Sequence, residues 1–277
     1  MAEQRMEWKR FCGAVAWPTV VLWGVSLGGV AMSSALTVAG IWPLWLGAVI
    51  NTVLAYVLFT PMHEAAHGNV RGRRASMRWL EAVVGWTSGF VLLAPFPAFV
   101  ALHLRHHSNT NDPKRDPDMW VAGQGVASVA ARCMTIVPHY YWEFLMGPTA
   151  RSPAGARARR ATVGMVVGIV LVMGVGAWLG VAAWLGWLWV GPAVLASGVL
   201  AFAFDWLPHH PHVERARHGN TRPLGAWLGI PMLGQNYHHV HHLYPRVPFY
   251  SYGRCLRSGR SPTGARAHAR VHGRNAT

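Results

Sequence analysis

Histidine is the residue type whose spacing in this chain carries the most chemistry. Of sixteen histidines, eight recur at intervals of three and four: His63 and His67; His103, His106 and His107; His238, His241 and His242. On a helix, residues three or four apart share a face, so each group presents its imidazoles towards one point. A lone histidine in such a place is more often structural. Eight at matching spacings reverse that reading, because burying so many unpaired polar rings beside an apolar phase is costly. Imidazole ligates iron, zinc, copper and nickel. One zinc ion takes four or fewer protein ligands, whereas two ions with four or five each use the whole set. Cys12, Cys133 and Cys255 are scattered and form no thiolate motif or disulfide framework, and a histidine-bound pair of iron ions fits best.

The chain has only ten acidic residues, and Glu64, Asp112, Asp116, Asp118 and Asp205 lie close to histidine clusters. Metal-bound imidazoles donate their second N–H to a carboxylate or carbonyl, and these acids are expected to take that part. The plain alternative is that they are loop and cap acids, above all along Asp112–Asp118 with its two prolines. His63-Glu64-Ala65-Ala66-His67 also matches H-E-x-x-H, in which two histidines hold zinc and the glutamate is the base of a protease. That reading leaves the other clusters unexplained and stands as a remote alternative.

The elements that must position these residues are membrane helices. Hydrophobic residues make up 52% of the 277 and charged ones only 13%, against about a quarter charged in ordinary globular chains. No Asp, Glu, Lys or Arg occurs from Phe11 to His63 or from Ala161 to Phe204. A crossing needs about 20 apolar residues, so each stretch accommodates two. The expected spans are Gly13–Met32 and Leu36–Thr60, turning near Ser33 and Ser34, then Thr162–Leu179 and Ala183–Phe204, turning at Gly180. Leu80–Leu102 is apolar but broken by Pro95 and Pro97, and reads as a re-entrant or interfacial helix pair. The fold expected is therefore an all-α integral membrane protein, four transmembrane helices in two hairpins beneath a cytoplasmic helical cap that carries the histidine boxes. Residues 1–256 form this domain, and 257–277 read as a basic, disordered tail.

Lys and Arg cluster at the N-terminus, in Arg71–Arg78, in Arg151–Arg160 and after Arg215, and both turns lack them. The positive-inside rule then puts the termini and the boxes in the cytoplasm, with a bacterial inner membrane as the expected location. The net charge of +15 suits anionic headgroups and acidic partners. Nothing resembles a base-reading helix or a stacking sheet, so no nucleic-acid partner is expected. The N-terminal apolar run lacks a cleavage site and reads as a retained span.

Taken together, the residues from about Asn51 to Gly253 resemble the membrane fatty-acid desaturase and hydroxylase superfamily, and within it the cyanobacterial-type β-carotene hydroxylases. The resemblance rests on His103-Leu104-Arg105-His106-His107 through Asn111, Asp112, Pro113, Asp116, Pro117 and Asp118. It rests further on Phe204-Asp205-Trp206-Leu207-Pro208-His209 with Val213-Glu214-Arg215, and on Gly234-Gln235-Asn236-Tyr237-His238, His241-His242-Leu243-Tyr244-Pro245 and Pro248-Phe249-Tyr250. It implies that the eight spaced histidines are iron ligands, with His209 as the further ligand after the last span, and it adds Asn236 to the residues expected around them. Glu64 stands where aspartate is common, and His239 where an apolar residue is usual. His239 falls on another helix face and reads as outer or structural, and His210 and His212 are left without a role.

The resemblance further implies dioxygen as co-substrate, a ferredoxin-type electron donor, and hydroxylation at C3 of a β-ring of β-carotene towards zeaxanthin. The alternative is an acyl-lipid desaturase or hydroxylase. The residues themselves ask only for an apolar substrate reached from the bilayer. Trp79, Trp86, Phe90, Phe96, Phe99, Tyr140, Tyr141, Trp142 and Phe144 read first as interfacial belt and packing, and second as walls of a polyene slot.

Overall fold

A computed structural model describes residues 8–147 and 151–258, and among them there is no strand. The expectation of a disordered tail lies outside the described residues except at Arg257 and Ser258, and Arg257 ends a helix. Four helical stretches are long and apolar enough to cross a membrane. We label them α1 (Trp17–Val38), α2 (Leu44–Ala66), α7 (Pro153–Trp178) and α8 (Ala182–Trp206). Between α2 and α7 lie α3 (Arg78–Val91), α4 (Phe96–Asn109), α5 (Val126–Met134) and α6 (Ile136–Met146). Two short helices, α9 (His238–Leu243) and α10 (Tyr252–Arg257), follow α8.

The first turn is displaced from its expected place. Ser33 and Ser34 lie inside α1, and the chain reverses at Gly40, whose φ is +73°, ahead of Pro43. Serine in an apolar helix is not by itself a turn signal. Ser33 O accepts from Thr37 Oγ1 (2.8 Å), and Ser34 Oγ accepts from Asn51 Nδ2 (2.9 Å) on α2. Glycine at positive φ followed by proline sets the boundary instead. The second turn is at Gly180 as expected, with φ +73°. α7 begins before the apolar stretch: Ser152 Oγ caps it by accepting from Gly155 N (3.0 Å), so Arg157, Arg159 and Arg160 ride on its first turns.

The helices α3 and α4 meet at 97°. Leu93 takes φ +55° in the break and Pro95 ends it. Pro97 starts α4 rather than breaking it, which the first helical turn permits because its N–H is not needed there.

The core joins α2 to α8. Ala55 and Met62 pack with Leu92, Ala196, Leu200 and Phe204, and Phe59 meets Phe204 and Phe99 edge-on with ring centroids 5.1 and 5.8 Å apart. Small residues allow this closeness: a side chain at Gly198 would strike Met134 Sδ on α5. α8 widens into π turns at Gly186–Val190 and Ala201–Trp206. Asn51 Nδ2 bonds Leu188 O (2.8 Å) in the first of these, and Leu207 N reaches Phe202 O (2.9 Å) at the end of the second. Such bulges recur at functional sites, and this one leads into His209. Phe11, Val240, Val247, Tyr252 and Cys255 form a separate cluster that holds α10 against α9.

Candidate metal centre

His63 lies in the last turn of α2 and His67 caps it. His103, His106 and His107 share α4, His238, His241 and His242 share α9, and His209 follows the π turn of α8. These nine rings form two groups. His63, His67, His103, His107 and His241 bring one nitrogen each into the first, and His106, His209, His238 and His242 into the second; within each group the atoms lie within 4.8 Å of one another. In the first, the Nε2 atoms of His63 and His241 are 3.0 Å apart, those of His67 and His103 2.8 Å, and those of His241 and His107 2.9 Å. In the second, His242 Nε2 is 3.1 Å from His238 Nε2 and 3.3 Å from His106 Nε2. Two nitrogens bound at right angles to one ion, each about 2.1 Å from it, stand about 3.0 Å apart, so the spacing fits a common ion in each group.

The second ring nitrogens support the same arrangement. His106 Nδ1 faces Asp116 Oδ1 (2.9 Å) and Asp118 Oδ2 (3.0 Å). Asp116 also accepts from Asp118 N (2.9 Å) and, at Oδ2, from Asn111 N (2.7 Å). His209 Nδ1 faces Asn220 O at 3.2 Å and must carry the proton there, which leaves its buried Nε2 as a lone pair without a protein partner. His241 Nδ1 meets Tyr252 Oη at 2.9 Å, and His242 Nδ1 a more distant Thr110 Oγ1 at 3.4 Å. Partners of this kind fix tautomer and ring orientation. Burial, seconded by neighbouring imidazoles, holds His209, His238, His241 and His242 well below the usual histidine range, and burial pushes His67 down to about 3. Neutral imidazole is the form that binds a metal; His106 differs, because its burial is outweighed by the Asp118 and Asp116 carboxylates, which raise it to about 10. The donor set therefore fits two ions, one with five nitrogens and one with four.

The fatty acid desaturase family model matches residues 39–271. The chain belongs to the fatty acid desaturase family. It is also 28% identical over 221 residues, 75% of this chain and 77% of the other, to a protein named beta-carotene ketolase from Paracoccus sp. (strain PC1). With its four apolar helices it is an integral membrane oxidoreductase of this family, and its histidine groups fit the di-iron site that membership suggests. Against that, the remote protease reading has nothing left to explain: His63 and His67 are two members of a five-histidine group.

The desaturase-family site opens on an apolar cavity. Phe59, Met62, Leu92, Phe99, Leu200 and Phe204 line it, with His63, His103, His106 and His238 on one wall. Asp118, Tyr140, Ser197 and Asp205 are its other polar lining residues. Tyr140 Oη donates to Asp118 Oδ1 (2.6 Å) and lies 3.4 Å from Asp205 Oδ2. Burial, then the Asp118 and Asp205 charges, raise the Tyr140 phenol well above its ordinary value, so it remains a donor.

The expected acids fall into different places. Asp116 and Asp118 face a box histidine. Asp205 reaches the network only through Tyr140. Glu64 has no histidine bond among the described residues; it is fully buried and lies at long hydrogen-bond distance from Asn69 Nδ2 (3.4 Å) and Phe249 N (3.3 Å), where it bridges α2 to the loop after α9. Asn236 is fully buried with both side-chain polar atoms unpartnered. Asp112 is a turn residue, accepting from Lys114 N and Arg115 N. His210, His212 and His239 belong to neither group. Of the aromatics, Phe99, Tyr140 and Tyr141 line cavities, whereas Trp79 and Trp142 are 59% and 66% exposed and suit an interfacial belt. Tyr252, Asn220 and Thr110 were missed; each meets its histidine through the tertiary fold, and no spacing rule points to it. Asn111, already among the residues of the resemblance, takes positive φ (+61°), a backbone region in which asparagine is enriched. Its side chain donates to Glu214 O (2.6 Å) and Asn220 O (2.9 Å), joining the second box to the loop that orients His209.

Proposed function

We propose that this protein uses dioxygen to hydroxylate the β-ring of β-carotene at C3, towards zeaxanthin, with iron as the metal in both histidine groups. The observation that carries the reading is the five-and-four division of the nine imidazoles beside an apolar cavity. When bound, the iron pair would supply dioxygen activation and C–H oxidation. The balance of the reaction is C–H plus O2, two electrons and two protons giving C–OH and water. The chain's own residues do the rest. The nine imidazoles hold the metals; Asp116 and Asp118 together, Asn220, and Tyr252 orient three of those rings, His106, His209 and His241, at Nδ1. The apolar wall from Phe59 to Phe204 admits a hydrocarbon ring and excludes water. Glu64, Asp205 and Asn236 act as supports of the site rather than as ligands.

We place both termini and the histidine groups in the cytoplasm of a bacterial inner membrane, with two helical hairpins below them. Electrons come from a ferredoxin-type protein, whose acidic surface the basic face suits. A second reading is favoured by the relative's name: oxidation of a ring carbon to a ketone. An acyl-lipid substrate is the third.

The test is pigment chromatography of a bacterial host that accumulates β-carotene and expresses this chain beside His241→Ala. Cryptoxanthin and zeaxanthin from the intact chain alone support the assignment. Keto-carotenoids move it to the second reading. Unchanged β-carotene, with iron-loaded protein in the membrane and ferredoxin supplied, overturns the carotenoid assignment.

A further inference from the structure

The stretch between α8 and α9 contains an element that neither the metal site nor the spans use. From Pro223 to Pro245 there is no Asp, Glu, Lys or Arg, although the stretch lies outside every candidate span. Its first half, Pro223-Leu224-Gly225-Ala226-Trp227-Leu228-Gly229-Ile230-Pro231-Met232-Leu233-Gly234, folds into a closed loop. Leu224 N bonds Asn236 O (3.1 Å) across its base, and Gly234 N bonds Gly229 O (2.7 Å) within it. Met232 turns inward and is 3% exposed, while Trp227 and Ile230 turn outward at 79% and 89%.

The loop's position identifies what covers those side chains. Tyr56 Oη donates to Pro231 O at 2.9 Å. Tyr56 lies within α2, seven residues before His63, which is about 10 Å along a helix at 1.5 Å per residue. Its ring is 6.2 Å from that of Phe204 on α8. The loop tip is thus fastened to the flanks of two apolar spans, below the histidines, with its largest apolar side chains pointing away from the protein. Leaving Trp227 and Ile230 in water there would forfeit the free energy of burying two large apolar side chains.

We propose that residues 223–234 form a membrane-inserted loop, with Ile230 among lipid acyl chains and Trp227 at their boundary with the headgroups, anchoring the third histidine box to the bilayer. Asn236 and His238 follow the loop directly, so its insertion sets the depth at which α9 presents its histidines. The proposal does not depend on which substrate the site oxidises.

The full-length protein in phosphatidylcholine and phosphatidylglycerol vesicles tests this through nitroxide labels at three exposed positions. Ile230→Cys reports the loop, Val170→Cys the lipid-facing side of α7, and Val213→Cys the polar stretch after His209; the native cysteines are buried. Relaxation by dissolved oxygen relative to a water-soluble nickel chelate is expected to be as high at 230 as at 170, and far above that at 213. A ratio at 230 matching 213 overturns the proposal. So does low access to both reagents, which would mean that a second protein surface covers the loop. Trp227→Cys, expected between the two limits, serves if Ile230→Cys does not fold, and a value equal to that at 213 refutes the insertion equally.

Discussion

Replacing Asp116 by Asn separates the two metal positions. The carboxylate serves three donors: Oδ1 accepts from His106 Nδ1 and Asp118 N, and Oδ2 from Asn111 N. An amide has one acceptor oxygen, so either orientation sets an NH2 group against at least one of these buried donors. An unsatisfied buried donor costs about 1–3 kcal/mol, and losing a partner that orients a metal-bound histidine weakens the metal by about 10–100-fold, or about 1.4–2.7 kcal/mol. Of the two histidine groups His106 belongs only to the four-membered one, so the loss should fall there, held towards the lower end of that range because Asp118 Oδ2 still faces His106 Nδ1 at 3.0 Å. Iron-loaded protein in detergent would be titrated with a chelator, and retained iron counted by mass spectrometry. The expected outcome is that one ion leaves at about 10–100-fold lower chelator than in the wild type, while the other leaves as before. Tyr252→Phe is the mirror experiment, because Tyr252 orients His241 of the five-histidine group; it should loosen the other ion. Retention of both ions by Asp116→Asn with unchanged affinity would refute the reasoning, as would first loss from the five-histidine group.

Two further outcomes follow from the cavity and from burial. Ala201→Phe would place a ring into the cavity that Ala201 lines; product formation should fall by at least about tenfold, or 1.4 kcal/mol on the barrier, with iron content unchanged. Full turnover would show that substrate does not enter there. For the metal-free protein, His67 is held down to about 3 in the folded state against 6.5 ordinarily. Between those values the unfolded chain binds a proton that the folded chain does not, so stability falls as pH drops below about 6.5, by about 1.4 kcal/mol per pH unit for each such histidine. Denaturation in detergent across that window measures it. A stability profile that stays flat down to about pH 4.5 would contradict the burial of a neutral ring.

The sequence by itself determined the local features. Charge-free stretches located the four spans, because a bilayer accepts only long apolar helices. Spacings of three and four identified eight ligand candidates, because helical geometry is the same in every protein. Family resemblance added His209, whose distance from the boxes no local rule bridges. The early turn at Ser33 and Ser34 was misread because a serine hydroxyl inside an apolar helix can be met by a neighbouring span, and only the packing of Asn51 against Ser34 reveals that. Only the tertiary structure decided how the boxes divide. His103 and His107 go to one group and His106 to the other; His241 goes to one and His238 and His242 to the other. α4 and α9 thus each serve both groups, because helical neighbours share a face but diverge slightly around it, and the crossing of α2, α4 and α9 selects which side each ring takes. The same holds for Tyr252, Asn220 and the loop on Tyr56. Their contacts join residues more than ten positions apart, and such contacts are created by packing, which local spacing does not encode.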